Sequence, residues 1–429
     1  MHVGRRICSI RQERGLSQES VAKSILSRSH YSNMETGRFN ISTDILELLS
    51  QKLEVPITYL TNYKNENIDL NLKLEQLESA LEDKEYKKVE QLILHIENEY
   101  EYIENIIQEF KYFLLKASYY IITNNIKLAT SIIEKKINPY VQNEEDIPND
   151  LLFYYYYTFA HWHQKRESFS KSREYYYSAI AHCQTIKERA KIFYNTAIVE
   201  RDLHSYRNSI NFAKRALEAY KIENMWYQVS KTYALLGLVY LETGLLEEAE
   251  DTLTRGLNIT TRNQYSDLEE YFYENLGLVF DNQSKKELSI EYFKKSIEIK
   301  KRLKSQYIVH SYINLIETYM EIDKIKEAKE FLKEVKQLDK DRSEKYLVME
   351  TEAKIALLSN SKEKYESLTK KVIDYYIAKK NWLFLIPLAK QYSEYLAANF
   401  KYKDAYMYSK IALDASDNVK KGGVSIWEK

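Results

Sequence analysis

A chain of 429 residues is too long for one compact core and suits two or more domains. Its 9 Gly and 4 Pro are too few for sheets and hairpins, so an almost all-helical protein with short connections is expected. Its 63 basic and 63 acidic residues cancel, and a content of 44% apolar and 29% charged residues excludes a disordered chain.

No apolar run approaches the roughly 20 residues that span a bilayer, and the opening MHVGRRICSIRQERG has no apolar signal segment. A cytoplasmic protein without membrane contact is expected. Cys8 and Cys183 are the only cysteines and read as buried fillers, not as a disulfide or metal site. His161 and His163, two apart, fall on different helix faces, so no metal is expected. There is no phosphate-cradling glycine loop and no nucleophile with a nearby base in a known pattern. No catalytic residue or cofactor is assigned, and an enzyme is not expected.

In chain order, the first helix spans about 3–14, with Val3, Ile7 and Ile10 on one face and Gly15 closing it. Ser17 caps a second helix that turns Val21, Ala22 and Ile25 inward, and Ser27 caps a third, Arg28 to Glu35, stopped by Gly37. A fourth helix over about 43–53 carries Ile45, Leu48, Leu49 and Leu53 as its core stripe. Val55-Pro56 then starts a short fifth. Residues 1–62 hold eight basic side chains against six acidic ones, a surplus compatible with DNA binding but too small to argue for it.

The stretches IRQERGLSQESVAKSI, SRSHYSNMETG and ILELLSQKLEVPITYL resemble the Xre/Cro-type helix-turn-helix. Between Ala22 and Glu35 the chain is one residue shorter than the usual pattern with Gly in the turn. A similarly short turn is found in PlcR-like peptide-responsive regulators. The resemblance places the third helix in the major groove. Tyr31 and Met34 then face the core, and Arg28, Ser29, His30, Ser32 and Asn33 face outward. Arg28 and Asn33 suit bidentate contacts to guanine and adenine, while Ser17, Gln18 and Arg38 are placed for phosphates. Arg11 and Glu35 are candidates for an ion pair between the first and third helices.

Residues 61–71, TNYKNENIDLN, are polar; residues 63–71 are taken as a linker between a domain at 1–62 and a second at 72–429. Beyond it a repeat emerges, clearest at 233–257, 273–297 and 312–335, where Tyr240, Phe280 and Tyr319 precede Ala249, Ser289 and Ala328 by nine residues. The small-residue position recurs at Val89, Ala129, Ser172, Ser209, Ala249, Ser289, Ala328, Ser367 and Ala405, at intervals of 37 to 43 residues. This resembles the tetratricopeptide repeat, lengthened, with its consensus glycine kept as Gly237 and Gly277 and replaced by Ala160 or Ala197 elsewhere. The resemblance implies about nine helical hairpins in a right-handed superhelix, the first helix of each lining an inner groove.

Two residues before the consensus glycine the register faces that groove, at Thr158, Asn195, Leu235, Asn275 and Asn314. Asn donates and accepts, so a row of them suits an extended peptide backbone; bridging of neighbouring helices is the plainer role for the same residues. Lys165, Lys191, Arg201, Lys231, Tyr271, His310 and Glu317 share the groove register, as do Tyr154 and Tyr157. The lysines favour an acidic side chain or a terminal carboxylate. A peptide of roughly five to eight residues, rising about 3.3 Å per residue, reaches about three hairpins.

The whole layout resembles the RRNPP family of quorum-sensing receptors, which includes the PlcR and NprR types. That resemblance implies a cytoplasmic homodimer on a near-palindromic double-stranded operator, controlled by a short signalling peptide bound by Thr158, Lys165, Lys191, Asn195, Lys231, Tyr271, Asn275, His310, Asn314 and Glu317. Two rival readings are a repeat-mediated antagonist that binds a response regulator, and a constitutive repressor whose array only oligomerises.

Overall fold

A computed structural model describes residues 1–338 and 341–421. Among these residues there are helices and turns but no strand. The N-terminal bundle has five helices: α1 (Val3–Glu13), α2 (Gln18–Ala22), α3 (Arg28–Glu35), α4 (Thr43–Lys52) and α5 (Ile57–Thr61). The expected caps form. Ser17 Oγ accepts from Ser20 N at 3.0 Å and Ser27 Oγ from His30 N at 3.2 Å, and Gly15 and Gly37 take positive φ. The shortened turn is made by Ser24, held at φ 70° where glycine is more usual. Val3, Ile7, Ile10, Val21, Ala22, Tyr31, Met34, Leu49 and Leu53 build the core. One expectation fails: Leu48 is 46% exposed, and Leu46 takes its place in the core. In ILELL two apolar faces are possible, and packing selects 46, 49 and 53.

Among the described residues nine helical hairpins follow, from α6 (Ile68–Glu82) with α7 (Tyr86–Glu99) and α8 (Ile106–Ile122) with α9 (Ile126–Ile132). Next come α10 (Leu152–Lys165) with α11 (Phe169–Ala181) and α12 (Ile186–Asp202) with α13 (Tyr206–Ile222). The chain divides into two compact units, Met1–Met225 and Trp226–Lys429. The second holds α14 (Trp226–Glu242) with α15 (Leu246–Arg262), α16 (Ser266–Asn282) with α17 (Lys286–Leu303), and α18 (Ile308–Glu321) with α19 (Ile325–Gln337). It ends with α20 (Arg342–Leu358) and α21 (Lys362–Lys379), then α22 (Trp382–Ala398) and α23 (Tyr402–Lys421). The added length over the common repeat goes into helices, each of α12 to α16 being 17 residues long, and not into the turns.

Every turn inside a hairpin spans three residues, and its middle one is left-handed: Lys84, Asn124, Glu167, His204, Gly244, Ser284, Asp323, Asn360 and Phe400. Each closes the first helix as a C′ residue. At the fourth hairpin, for example, His204 N donates to Arg201 O and Ser205 N to Glu200 O, both at 2.8 Å. Glycine is thus scarce because polar residues, and one phenylalanine, occupy positions where glycine is preferred.

The small residues of the repeat are buried from Val89 to Ala328. Ser172 and Ser209 also donate to the carbonyls of Ala160 and Ala197, at 2.8 and 2.7 Å. At Gly237 a Cβ would lie 2.4 Å from Leu253, so glycine there reflects close helix approach. Ser367 does not hold the expected place: it is exposed. Tyr365, 2% exposed at the third residue after the start of α21, takes that place, so the eighth repeat is displaced by two residues and carries a ring where the others carry a small side chain.

Candidate functional site

The residues expected to face DNA are carried by α3. Arg28, Ser29 and His30 are exposed, Ser32 and Asn33 half-buried, and Arg38 and Ser17 exposed beside them. Tyr31 and Met34 anchor the opposite face at 0% and 2% exposure. Arg11 and Glu35 do pair, bidentately, with Nε–Oε1 at 2.6 Å and Nη2–Oε2 at 3.0 Å. This ties α1 to the C-terminal end of α3. Gln18 departs from expectation, because its amide turns inward and donates to Glu35 Oε2 at 2.8 Å. A phosphate contact would cost that bond. Phe39, 52% exposed and 5.1 Å from the His30 ring, joins the surface although its position after Gly37 did not single it out.

The basic residues of the bundle divide by role. Arg14 pairs with Glu54 at 2.7 Å, and Arg5 donates to Gln142 at 2.6 Å. Arg6 is fully buried. Its guanidinium donates to Glu109 Oε2 from Nη2 at 3.0 Å and from Nε at 3.2 Å, and to the carbonyls of Tyr59, Glu104 and Ile103 at 2.5, 2.6 and 3.1 Å. The Tyr59 ring lies 4.1 Å beneath it. Tyr140 donates its hydroxyl to Glu109 Oε2 at 2.7 Å, and Tyr59 donates to Oε1. Burial works against the charge on Arg6, but Glu109, Tyr140 and Tyr59 together outweigh it and hold the arginine above its ordinary pKa. The same burial, with Glu109 beside them, pushes both phenols well above theirs.

The groove for α1 comes from an irregular stretch between α9 and α10. Residues Ile133–Ile137 widen into a π-turn, and Asn138–Tyr140, Glu144–Asp146 and Asn149–Leu151 are short 3-10 turns. Pro139, lacking an amide hydrogen, cannot continue a helical ladder there. The stretch meets α1 through Ser9 Oγ, which donates to Lys135 O at 3.3 Å, and through Lys136 paired with Glu13 at 2.6 Å. Residues 63–71 are likewise bound. Ile106 N donates to Tyr63 O at 3.0 Å, Gln108 Nε2 donates to Asn67 O and Asn71 Oδ1 at 2.7 and 2.6 Å, and α6 begins at Ile68.

The inner-register residues of the first unit cluster around Tyr157. Asn195 Nδ2 donates to its hydroxyl at 3.0 Å, and Lys191 Nζ lies 4.4 Å over its ring. Lys165 is exposed. His161 is lowered to about 3, by burial first and then by the charges of Lys165 and Lys191, so it is neutral near pH 7. Thr158 is 2% exposed and shares a hydrogen bond with Ser118 at 2.9 Å, so it joins two helices and presents nothing to a groove. Tyr154 donates to Glu78, which also pairs with Lys111 at 2.9 Å.

In the second unit, Asn275 is 5% exposed and donates to Tyr271 O at 2.7 Å. Asn314 donates to Glu274 Oε1 at 2.6 Å. Glu317 accepts from Lys354 at 2.8 Å, Tyr271 and His310 are exposed, and Lys231 is half-buried. Leu235 is buried and interrupts the row. Each of the three asparagines thus commits an amide hydrogen to an intramolecular partner: Asn195 and Asn314 bridge neighbouring helices, whereas Asn275 bonds back within its own helix. Glu274 also accepts from Ser296 at 3.0 Å and from Lys300, 4% exposed, at 3.1 Å, a buried network the sequence did not signal.

A helix-turn-helix family model matches residues 9–60, and a tetratricopeptide-repeat model matches 230–263 and 271–302. The transcriptional activator NprA of Geobacillus stearothermophilus is 24% identical over 417 residues, covering 93% of this chain and 99% of its own. The fold matches the apo quorum sensor NprR from B. thuringiensis with TM-score 0.67 at 16% identity, over 81% of this chain and 99% of that one. It also matches apo RapI, with TM-score 0.64 at 15% identity, over 83% of this chain and 99% of that one. The chain thus joins a helix-turn-helix to tetratricopeptide-type repeats, and its fold is similar to those of NprR and RapI. No helix of the described residues is long and apolar enough to cross a membrane.

Proposed function

We propose that the chain is a transcriptional regulator that reads a near-palindromic operator as a homodimer and answers to a short peptide bound by its repeats. The single observation that carries this reading is the exposed face of α3, with Arg28 and His30 outward on a helix that Tyr31 and Met34 hold from behind. A surface helix with these side chains suits base edges, and the sequence similarity to the transcriptional activator NprA runs through the helix-turn-helix and the array alike, over 93% of this chain. NprR, of the same fold, has been seen with its cognate peptide NprX.

In the first unit the proposed peptide contacts are Lys165, Lys191 and Asn195, with Lys165 and Lys191 drawing an acidic group to the neighbourhood of His161. In the second they are Lys231, Tyr271, Asn275, His310, Asn314 and Glu317. The asparagines offer carbonyl oxygens to peptide amides, and Asn195 and Asn314 exchange an internal partner for the peptide. The test is a gel shift on a duplex selected from random DNA, titrated with heptapeptides of varied acidity. An acidic peptide is expected to change DNA affinity, and Asn275→Ala to weaken its binding more than about tenfold, the scale of a lost hydrogen bond to a buried group. If no peptide alters affinity or assembly, the receptor half of the reading fails; if no duplex is enriched, the DNA-reading half fails.

A further inference from the structure

The bundle of α1 to α5 is seated on the first two hairpins by charged and polar contacts that a flexible tether would not need. Arg6 reaches across from α1 to the first turn of α8, where Glu109 accepts from its Nη2 and Nε at 3.0 and 3.2 Å. Three backbone carbonyls and two tyrosine hydroxyls complete the set. Around this centre stand Arg5 on Gln142, Ser9 on Lys135 O, Glu13 on Lys136 and Asn62 on Glu104, at 2.6, 3.3, 2.6 and 2.9 Å. The Tyr102 ring packs at a tilt against that of Tyr59, with centroids 5.0 Å apart.

A buried guanidinium whose donors are satisfied only in one pose is a device for specificity of geometry, because any shift leaves a charge unpaired in the interior. We infer that Arg6 and Glu109 are positioning residues: they lock the bundle to α8 and to the 133–151 stretch, so that the repeats dictate where α3 lies and thus which operator half-site spacing is read. This inference rests on the DNA-reading proposal for its consequence but not for the lock itself. Without the lock, residues 62–67 form a tether of about 20 Å when extended. Half a turn of DNA, about 17 Å of axis, then comes within its reach. α8 also carries Lys111 and Ser118, which pair with the first helices of the neighbouring hairpins through Glu78 and Thr158. The helix that holds the bundle is thus the one that lies among the inner-register residues of the first unit.

The experiment uses the full chain and the variant Arg6→Met with Glu109→Gln, which removes both charges and leaves an acceptor for Tyr59 and Tyr140. Spin labels at Glu19→Cys and Lys127→Cys, both exposed, on a Cys8→Ser, Cys183→Ser background, report the pose without DNA. One narrow distance is expected in the parent and a broad distribution in the variant. A broad parent distribution, or a variant as narrow as the parent, overturns the lock. On a duplex selected by the parent, about five inserted base pairs between half-sites should cost the parent at least about tenfold in affinity and the variant less than about threefold. An unchanged spacing preference in the folded variant overturns the positioning role. If that variant does not fold by circular dichroism, the rim pair Arg5→Ala with Lys136→Ala takes its place under the same two readings. A chain that selects no duplex yet gives the narrow distance defeats the DNA-reading proposal and leaves the lock standing.

Discussion

Arg6 Nη2 and Glu109 Oε2 meet at 3.0 Å across 103 residues of sequence, with Arg6 at 0% and Glu109 at 5% exposure. Removing one member leaves the other charged and enclosed. Arg6→Met alone is therefore expected to destabilise the first unit by about 3–5 kcal/mol. Adding Glu109→Gln should restore most of that loss, since the phenols keep an acceptor. Urea denaturation of the single and double variants checks this, and additive losses would contradict it.

Arg28 is exposed and makes no contribution to the core. Arg28→Ala should leave thermal stability within about 0.5 kcal/mol of the parent, while specific DNA affinity falls by about 1–3 kcal/mol, roughly five- to 150-fold. Footprinting at parental concentrations with the variant would place base recognition elsewhere on the bundle.

Phe400 is 80% exposed at φ 61°, a backbone region that costs a bulky L-residue about 1–2 kcal/mol. Phe400→Gly should thus raise the stability of the second unit by about 1 kcal/mol, and Gly244→Ala, at φ 73°, should lower it by a similar amount. Calorimetric melting of the two variants should move in opposite directions; a shared direction would mean that contacts of these side chains outweigh the backbone.

His161 has a folded-state pKa lowered to about 3 by burial and then by Lys165 and Lys191. The unfolded chain takes up a proton near pH 6.5 that the folded chain refuses. Stability is therefore full above that pH and falls below it, by about 1–2 kcal/mol between pH 7 and pH 5. His161→Gln should flatten this slope when urea midpoints are compared at the two pH values. A bound acidic group between the two lysines should raise the histidine pKa, which NMR titration can follow.

The sequence by itself determined the helices and their ends. Ser17, Ser27, Gly15 and Gly37 are local signals, because a cap or a left-handed residue acts on the next few amides whatever surrounds it. The nine-hairpin count was legible for the same reason, since each repeat packs only on its neighbours and so repeats its pattern. Legibility failed where two registers were equally apolar. Leu46 against Leu48 and Tyr365 against Ser367 were decided by packing from elements distant in the chain. The candidate site was half legible. The outward residues of α3 follow from a helix period anchored by Tyr31 and Met34, but the asparagine row gave position without availability. Whether Asn195 or Asn314 is free or bonded depends on Tyr157 and Glu274, one hairpin away. Arg6 illustrates the limit best. In sequence it was one of eight basic residues on a small bundle, indistinguishable from a phosphate contact. Only the tertiary structure, bringing Glu109 and two tyrosines to it, decided that it faces inward, because burying a charge depends on partners the local chain does not supply.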